Sequence, residues 1–251
     1  MARSFDDLVT EASSVSVAGW DFSWLEGRAT EQRPSWGYQS LIAARLADVQ
    51  SAVDLETGGG EVLSGVPVLP PLMVATESWP PNLSAARSLL GTRGATVVAA
   101  ADEPPLPFRA GSFDLVVSRH PVTVWWSEIA RVLRPGGTYL SQQVGPASVF
   151  ELVEYFLGPQ PAAVREGRHP DHARAAAERA GLTVTDLRFE KLRTEFFDIG
   201  AVIYFLRKVI WMVPGFTVSA YLPQLRALHD QLRRGPFVAT TTRFLIEAHK
   251  P

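Results

Sequence analysis

Between residues 51 and 144 the chain alternates short apolar runs with stretches of helical spacing, and few folds accommodate that alternation. The runs are SAVDL (Ser51 to Leu55), PLMVATE (Pro71 to Glu77), ATVVAAAD (Ala95 to Asp102), FDLVVS (Phe113 to Ser118) and TYLSQQV (Thr138 to Val144). Each is largely apolar and bounded by glycine, proline or charge, the pattern of a strand buried on both faces. Asn82 to Leu90 and Val122 to Leu133 carry helical spacing, and Arg134-Pro135-Gly136-Gly137 closes the second as a helix stop and turn. Such alternation predicts a parallel sheet with helices on both faces.

The flanks read differently. Residues 1 to 50 are acidic and dense in aromatics (Trp20, Phe22, Trp24, Trp36, Tyr38), with a helix predicted from Ser35 to Ala47 after Pro34. After Val144 the spacing predicts helices at Ser148 to Leu157, Asp171 to Ala180, Ile199 to Trp211 and Val218 to Arg233. It predicts strands at Thr183 to Glu190 and Phe237 to Ala248. The helices between the last two strands read as an addition to the core.

Composition narrows the functions. A length of 251 residues with 46% hydrophobic content suits one large domain, or a core with a cap. A net charge of −2 carries no footprint of a general nucleic-acid binder. The absence of cysteine excludes disulfides, thiolate metal sites and thiol nucleophiles. MARSFDDLVTEASS places acids where a secretory signal needs bases and an apolar run, and no apolar run reaches the roughly 20 residues of a membrane span. A cytoplasmic protein without membrane attachment is the expectation.

The chemistry concentrates at the ends of the predicted strands. VDLETGGG, Val53 to Gly60, is a strand running into a glycine-rich turn, a place where backbone can approach a ligand closely. Glu77 ends the next strand, 23 residues after Asp54, where an acid accepts bonds from the two ribose hydroxyls of a nucleoside. Asp102 ends the third strand, where a carboxylate can meet an adenine amino group, and Trp79 is placed to lie against the base.

VDLETGGGE, VATES, AADEPPLPFRAGSFDLVVSRH and WWSEIARVLRPGGTYL together resemble the class I S-adenosylmethionine-dependent methyltransferases of the ubiquinone-methylase-like, type 11 group. The resemblance covers about Val53 to Val144. It implies a Rossmann-like, doubly wound, mostly parallel seven-stranded sheet with an antiparallel final strand, here with an added helical cap. It also implies S-adenosylmethionine as cofactor, with Asp54, Gly58 and Gly60 along its methionine part, Glu77 at the ribose, Asp102 and Glu103 at the adenine edge, and Ser118 beside the sulfonium. The domain expectation is an N-terminal aromatic cap segment (1–50), a cofactor-binding core (51–145) and a completion of the sheet (146–251) with cap helices at about 146–169 and 195–235. One departure stands out. Glu56 occupies the first glycine position of the turn, where its side chain can crowd or repel the methionine carboxylate, or turn away to meet the ammonium group.

Methyl transfer from a sulfonium needs alignment and, for many acceptors, removal of a proton. His120, just past the fourth strand, is the candidate base, and a loop or helix-capping role is the alternative. Arg119 is placed to bind an acidic acceptor group, and Trp36, Tyr38 and Tyr204 are candidate walls for an acceptor, although most large aromatics are core. The other histidines share no ligand spacing, so no metal is expected. The leading expectation is methylation of a small, partly apolar acceptor at oxygen or nitrogen. Two alternatives are a non-catalytic cofactor-binding protein, motivated by Glu56, and an RNA base methyltransferase. The second is motivated by seven basic residues after position 200 (Arg207, Lys208, Arg226, Arg233, Arg234, Arg243, Lys250) against Asp230 and Glu247. Neither acceptor nor oligomeric state is specified by these features.

Overall fold

The computed structural model describes residues 3–251. In chain order the elements are α1 (Phe5–Ser14), β1 (Ala29–Glu31), α2 (Tyr38–Ala47), β2 (Ser51–Leu55), α3 (Glu61–Ser64), β3 (Leu72–Glu77) and α4 (Pro80–Gly91). They continue with β4 (Thr96–Ala99), β5 (Phe113–Arg119), α5 (Trp126–Val132), β6 (Leu133–Val144), α6 (Phe150–Leu157) and α7 (Ala162–Arg165). The last are α8 (Pro170–Arg179), β7 (Thr183–Phe196), α9 (Ile199–Lys208), α10 (Leu222–Leu232) and β8 (Phe237–His249). The strands form one eight-stranded sheet in the order β1-β7-β8-β6-β5-β2-β3-β4.

The chain divides into two compact units, and the larger comprises residues 34–146, 168–190 and 243–251. Here β4, β3, β2, β5 and β6 run parallel and β8 pairs antiparallel to β6. The strands are apolar because both faces are covered, and alternate residues go to opposite layers. Ala52, Ala75, Leu115, Val117, Leu140 and Leu245 pack on one side with Ile42 and Leu46 of α2. Val53, Val74, Val116, Tyr139, Phe244 and Ile246 pack on the other with Ile129 of α5 and Ala177 of α8. Since β2 lies between β3 and β5, the chain leaves it in one direction and later resumes on its other side. That reversal opens a crevice at the carboxyl ends of these strands.

The smaller unit comprises residues 1–33, 147–167 and 191–242. α1 presents Phe5, Leu8 and Ala12 at helical spacing, and α10 presents Leu225, Leu228 and Leu232, to a core shared with α6 and α9. Arg28 joins its polar parts, donating to both Asp198 oxygens at 2.8 and 2.9 Å and to Glu11 at 2.9 Å, and lying 3.8 Å over the Trp24 ring. Asp198 also caps α9 by accepting from Ala201 N–H at 2.9 Å.

Several expectations change. The sheet has eight strands rather than seven. The extra one, β1, is a three-residue polar segment pairing Ala29–Glu31 with Thr194–Phe196, so β7 runs on past Glu190 to Phe196. The helix expected from Ser35 begins at Tyr38, after Gly37 at φ +58°. The one expected from Val122 begins at Trp126. Arg134 to Gly137 does not separate a helix from a later strand but bulges within β6, whose pairing with β5 jumps from Phe113–Leu133 to Leu115–Thr138.

Candidate functional site

The crevice is built from the ends of β2, β3, β5 and β6 in the larger unit. A narrow cleft here is lined by Leu55, Glu56, Thr76, Asp102, Ser118, Pro121 and Trp125, among others. The turn after β2 is pinned to the neighbouring strand, since Thr57 N–H donates to the Thr76 carbonyl at 2.9 Å and Glu56 N–H to Thr76 Oγ1 at 3.1 Å. Gly58 and Gly60 sit at φ +67° and +86°, a region glycine enters without steric cost. A Cβ on Gly60 would also stand 2.8 Å from Leu90 Cγ.

Glu56 sits in the same turn at φ +53°, a left-handed conformation that costs a residue with a Cβ on the order of 1–2 kcal/mol. Its carboxylate accepts from Ser78 Oγ at 2.7 Å, just past β3. The side chain therefore reaches across the turn toward Glu77 and Asp102. Burial pushes its pKa up to about 7 against the Ser78 bond, and the charges of Glu77 and Asp102 push it further. Asp54 is 7% exposed and accepts from Thr57 Oγ1 at 2.7 Å. Burial lifts its pKa to about 7 as well, opposed by that bond and by Arg119.

Glu77 is 3% exposed, and one carboxylate oxygen accepts from Trp79 N–H at 2.8 Å while the other lies 3.4 Å from Asn82 Nδ2. A carboxylate has about four acceptor positions, so capacity for hydroxyl donors remains. Trp79 is 43% exposed at the start of α4. Asp102 lines the cleft and accepts from Trp125 Nε1 at 3.2 Å, whereas Glu103 is exposed and does not line it. Ser118 also lines the cleft, but its hydroxyl is held by Tyr139 at 2.8 Å and Ser141 at 3.0 Å.

The remaining candidates separate. Trp36 and Tyr38 are buried in the larger unit, where Tyr38 donates to the Ser118 carbonyl at 2.8 Å and so braces the end of β5. Burial raises the Tyr38 pKa well above its usual value, which keeps the phenol a donor. Tyr204 belongs to the smaller unit, 2% exposed, 4.8 Å from Trp24, with its hydroxyl spent on the Asp21 carbonyl. That is a packing role. The expectation that His120 is a general base meets two obstacles. Its Nε2 already lies 3.0 Å from Gln142 Nε2, and its pKa is held well below 6.5 by burial and then by Arg243, Arg119 and Arg168. A ring so reluctant to take a proton is a weak base near neutral pH. The basic residues of the C-terminal fifth are largely committed too. Arg207 donates to the Ala12 and Val15 carbonyls, Lys250 to those of Ala130 and Leu133, and Lys208 is buried among Phe22 and Tyr204. Thr76 and Gln142 are participants that the sequence did not single out, since neither belongs to a glycine turn or a strand-terminal acid.

Among the described residues no three His, Asp or Glu converge in a metal-binding group, and no helix is long and apolar enough to cross a membrane. Residues 53–141 match the methyltransferase domain family. No curated protein sequence matches the chain significantly. Solved structures are similar in fold. A candidate methyltransferase from Bacillus halodurans is 18% identical over 86% of this chain and 99% of its own, with a TM-score of 0.60. The YcgJ protein of Bacillus subtilis is 17% identical over 85% and 97%, also at 0.60. Phosphoethanolamine N-methyltransferase 2 of Haemonchus contortus, solved with S-adenosylhomocysteine, is 18% identical over 100% of this chain and 61% of its own, at 0.54.

Proposed function

We propose that this chain, whose residues 53–141 match the methyltransferase domain family, is a class I S-adenosylmethionine-dependent methyltransferase that methylates a small, partly apolar acceptor at oxygen or nitrogen. The observation that carries the reading is the set of carboxylates at the ends of consecutive parallel strands: Asp54 on β2, Glu77 on β3, and Asp102 beyond β4. The donor set fits S-adenosylmethionine. Carboxylates accept from ribose hydroxyls, an adenine amino group and an ammonium, and together they favour a ligand bearing cationic groups. The cofactor supplies an activated methyl group on a sulfonium. The chain supplies binding and alignment: Gly58 and Gly60 allow close approach of the backbone, Glu77 and Asp102 orient the nucleoside, and Trp125 fixes Asp102. Calorimetric titration with S-adenosylmethionine and with S-adenosylhomocysteine tests the reading directly. Saturable one-to-one binding of both is expected, and absence of binding of either across pH 6–8 overturns it.

Glu56 favours a second reading, a protein that binds the cofactor without turning it over. A strained carboxylate in the glycine turn, reaching toward Glu77 and Asp102, takes up room and concentrates negative charge where the nucleoside is expected. Glu56→Gly is expected to relieve both and tighten cofactor binding about tenfold, roughly 1.4 kcal/mol. Glu56→Gln retains the bulk without the charge and separates the two causes. Weaker binding by the glycine variant would instead make Glu56 a cofactor ligand.

A further inference from the structure

Two side chains far apart in sequence fix one imidazole. Trp36 Nε1 donates to Gln142 Oε1 at 2.8 Å, and Gln142 Nε2 faces His120 Nε2 at 3.0 Å. An indole nitrogen can only donate, so it settles which end of the amide is oxygen. The other end is then a donor, and the imidazole nitrogen it meets must be an acceptor. The proton of the neutral ring therefore sits on Nδ1. Backbone holds the ring in place as well, since His120 takes φ +54° and its N–H donates to the Gln142 carbonyl at 2.7 Å. Nδ1 makes no hydrogen bond to the described residues, and the half-buried ring keeps it in touch with solvent.

The surroundings of this donor are cationic. Arg119 precedes it in the chain, is exposed, and sits opposite Gln142 in the β5–β6 register. Arg243 sits opposite Val144, one same-face position further along β6. Arg168 adds its charge from the segment before α8, and all three arginines act against a positive charge on His120. Asp54 is the carboxylate that feels Arg119, and it holds no ion pair with it. Ser118 and Pro121, on either side of Arg119 and His120, line the cleft.

We propose that His120 and Arg119 form an oxyanion subsite, in which the Nδ1–H of a neutral His120 and the Arg119 guanidinium hold a carboxylate or phosphate group of the methyl acceptor. Trp36 and Gln142 are positioning residues: they set the tautomer that makes His120 a donor. The subsite is the acceptor's only on the reading that the chain transfers methyl groups, but anion binding there does not depend on that reading.

Nitrogen-15 NMR of the histidine-labelled full chain, without cofactor, tests the subsite. His120 is expected to stay neutral, with its proton on Nδ1, through the range in which an ordinary histidine titrates, near a pKa of about 6.5. Titration with inorganic phosphate and, separately, acetate distinguishes the two sources of the oxyanion. Saturable movement of the His120 nitrogens with either one supports the subsite and assigns the group. Arg119→Gln should weaken that binding about tenfold, in keeping with a lost charge-assisted bond. Trp36→Phe should let the amide turn and mix the tautomers. Gln142→Glu places a carboxylate beside Nε2 and should protonate the ring, so that it titrates above its ordinary value; this near-isosteric change carries the test if the indole variant misfolds. A wild-type ring protonated on Nε2, or no movement with either anion, overturns the proposal. Failure of cofactor binding alone would overturn the methyl-transfer reading and leave the subsite standing.

Discussion

Asp54→Asn is expected to stabilise the protein at pH 8, by up to about 4 kcal/mol, and to leave it nearly unchanged at pH 4. The sign follows from linkage. Asp54 ordinarily ionises near 3.8, and burial lifts it to about 7 in the folded state. The native state then holds a proton that the unfolded state has released, so this group's contribution is fully present below about pH 4. It declines as pH rises and is lost above about 7. The difference of roughly 3 pKa units, at about 1.4 kcal/mol each, sets the upper bound. Asparagine cannot ionise, and its amide oxygen can still accept from Thr57. Glu56, also lifted to about 7, reinforces the same decline in the wild type, whereas Glu128, lowered chiefly by its bond to Arg131, opposes it at acid pH. Denaturant midpoints at pH 4, 6 and 8 check the claim. A gap between variant and wild type that fails to widen with pH would mean that Asp54 is ionised at little cost in the fold.

Such a cost is informative because buried ionisable groups cluster where ligands bind. Asp54 is held in place by Thr57 and opposed by no direct ion pair. The fold tolerates an unfavourable carboxylate at the end of β2, where a cationic ligand would relieve it. The positive-φ Glu56 in the adjoining turn is a second local rule broken at the same place, and agreement of local rules is what most of the remaining sheet displays.

What the sequence revealed, and what it concealed, follows from this physics. The central strands were legible because burial on both faces leaves no polar residue to blur them: Ala52 and Val53 go to opposite layers, and both are apolar. The acids at the ends of β2 and β3 were legible because chain order fixes where each strand ends, whereas β4 stops at Ala99 and leaves Asp102 in the loop beyond it. β1 was not, because a three-residue polar edge has no apolar period to show. Nor was the role of Gln142. Its partners are a histidine just past the neighbouring strand β5 and an indole 106 residues away, and an amide gains its meaning only from what faces it. Tyr204 had the residue type of a pocket wall, but the Asp21 carbonyl and the Trp24 ring make it core.

Glu77→Ala is expected to lower cofactor affinity by about 1.5–3 kcal/mol, the range for hydrogen bonds to a charged group. On the proposed reading Glu77 has two tasks, and the variant removes both. It holds Trp79 N–H and Asn82 Nδ2 at the start of α4, so alanine leaves two donors without their acceptor and destabilises the fold as well. Glu77→Gln separates the tasks. Its amide oxygen can still accept from Trp79 N–H, which preserves the helix start, while the lost charge and the added N–H leave fewer acceptors for a ribose. Affinity should therefore fall in both variants while stability falls mainly in the alanine one. Calorimetric titration with S-adenosylhomocysteine, paired with denaturant unfolding of each ligand-free variant, reads the two effects independently. If the glutamine variant binds as tightly as the wild type, Glu77 is a brace for α4 rather than a cofactor ligand. The ribose would then have to be met by Glu56 or Asp102, the two acids that face the cleft.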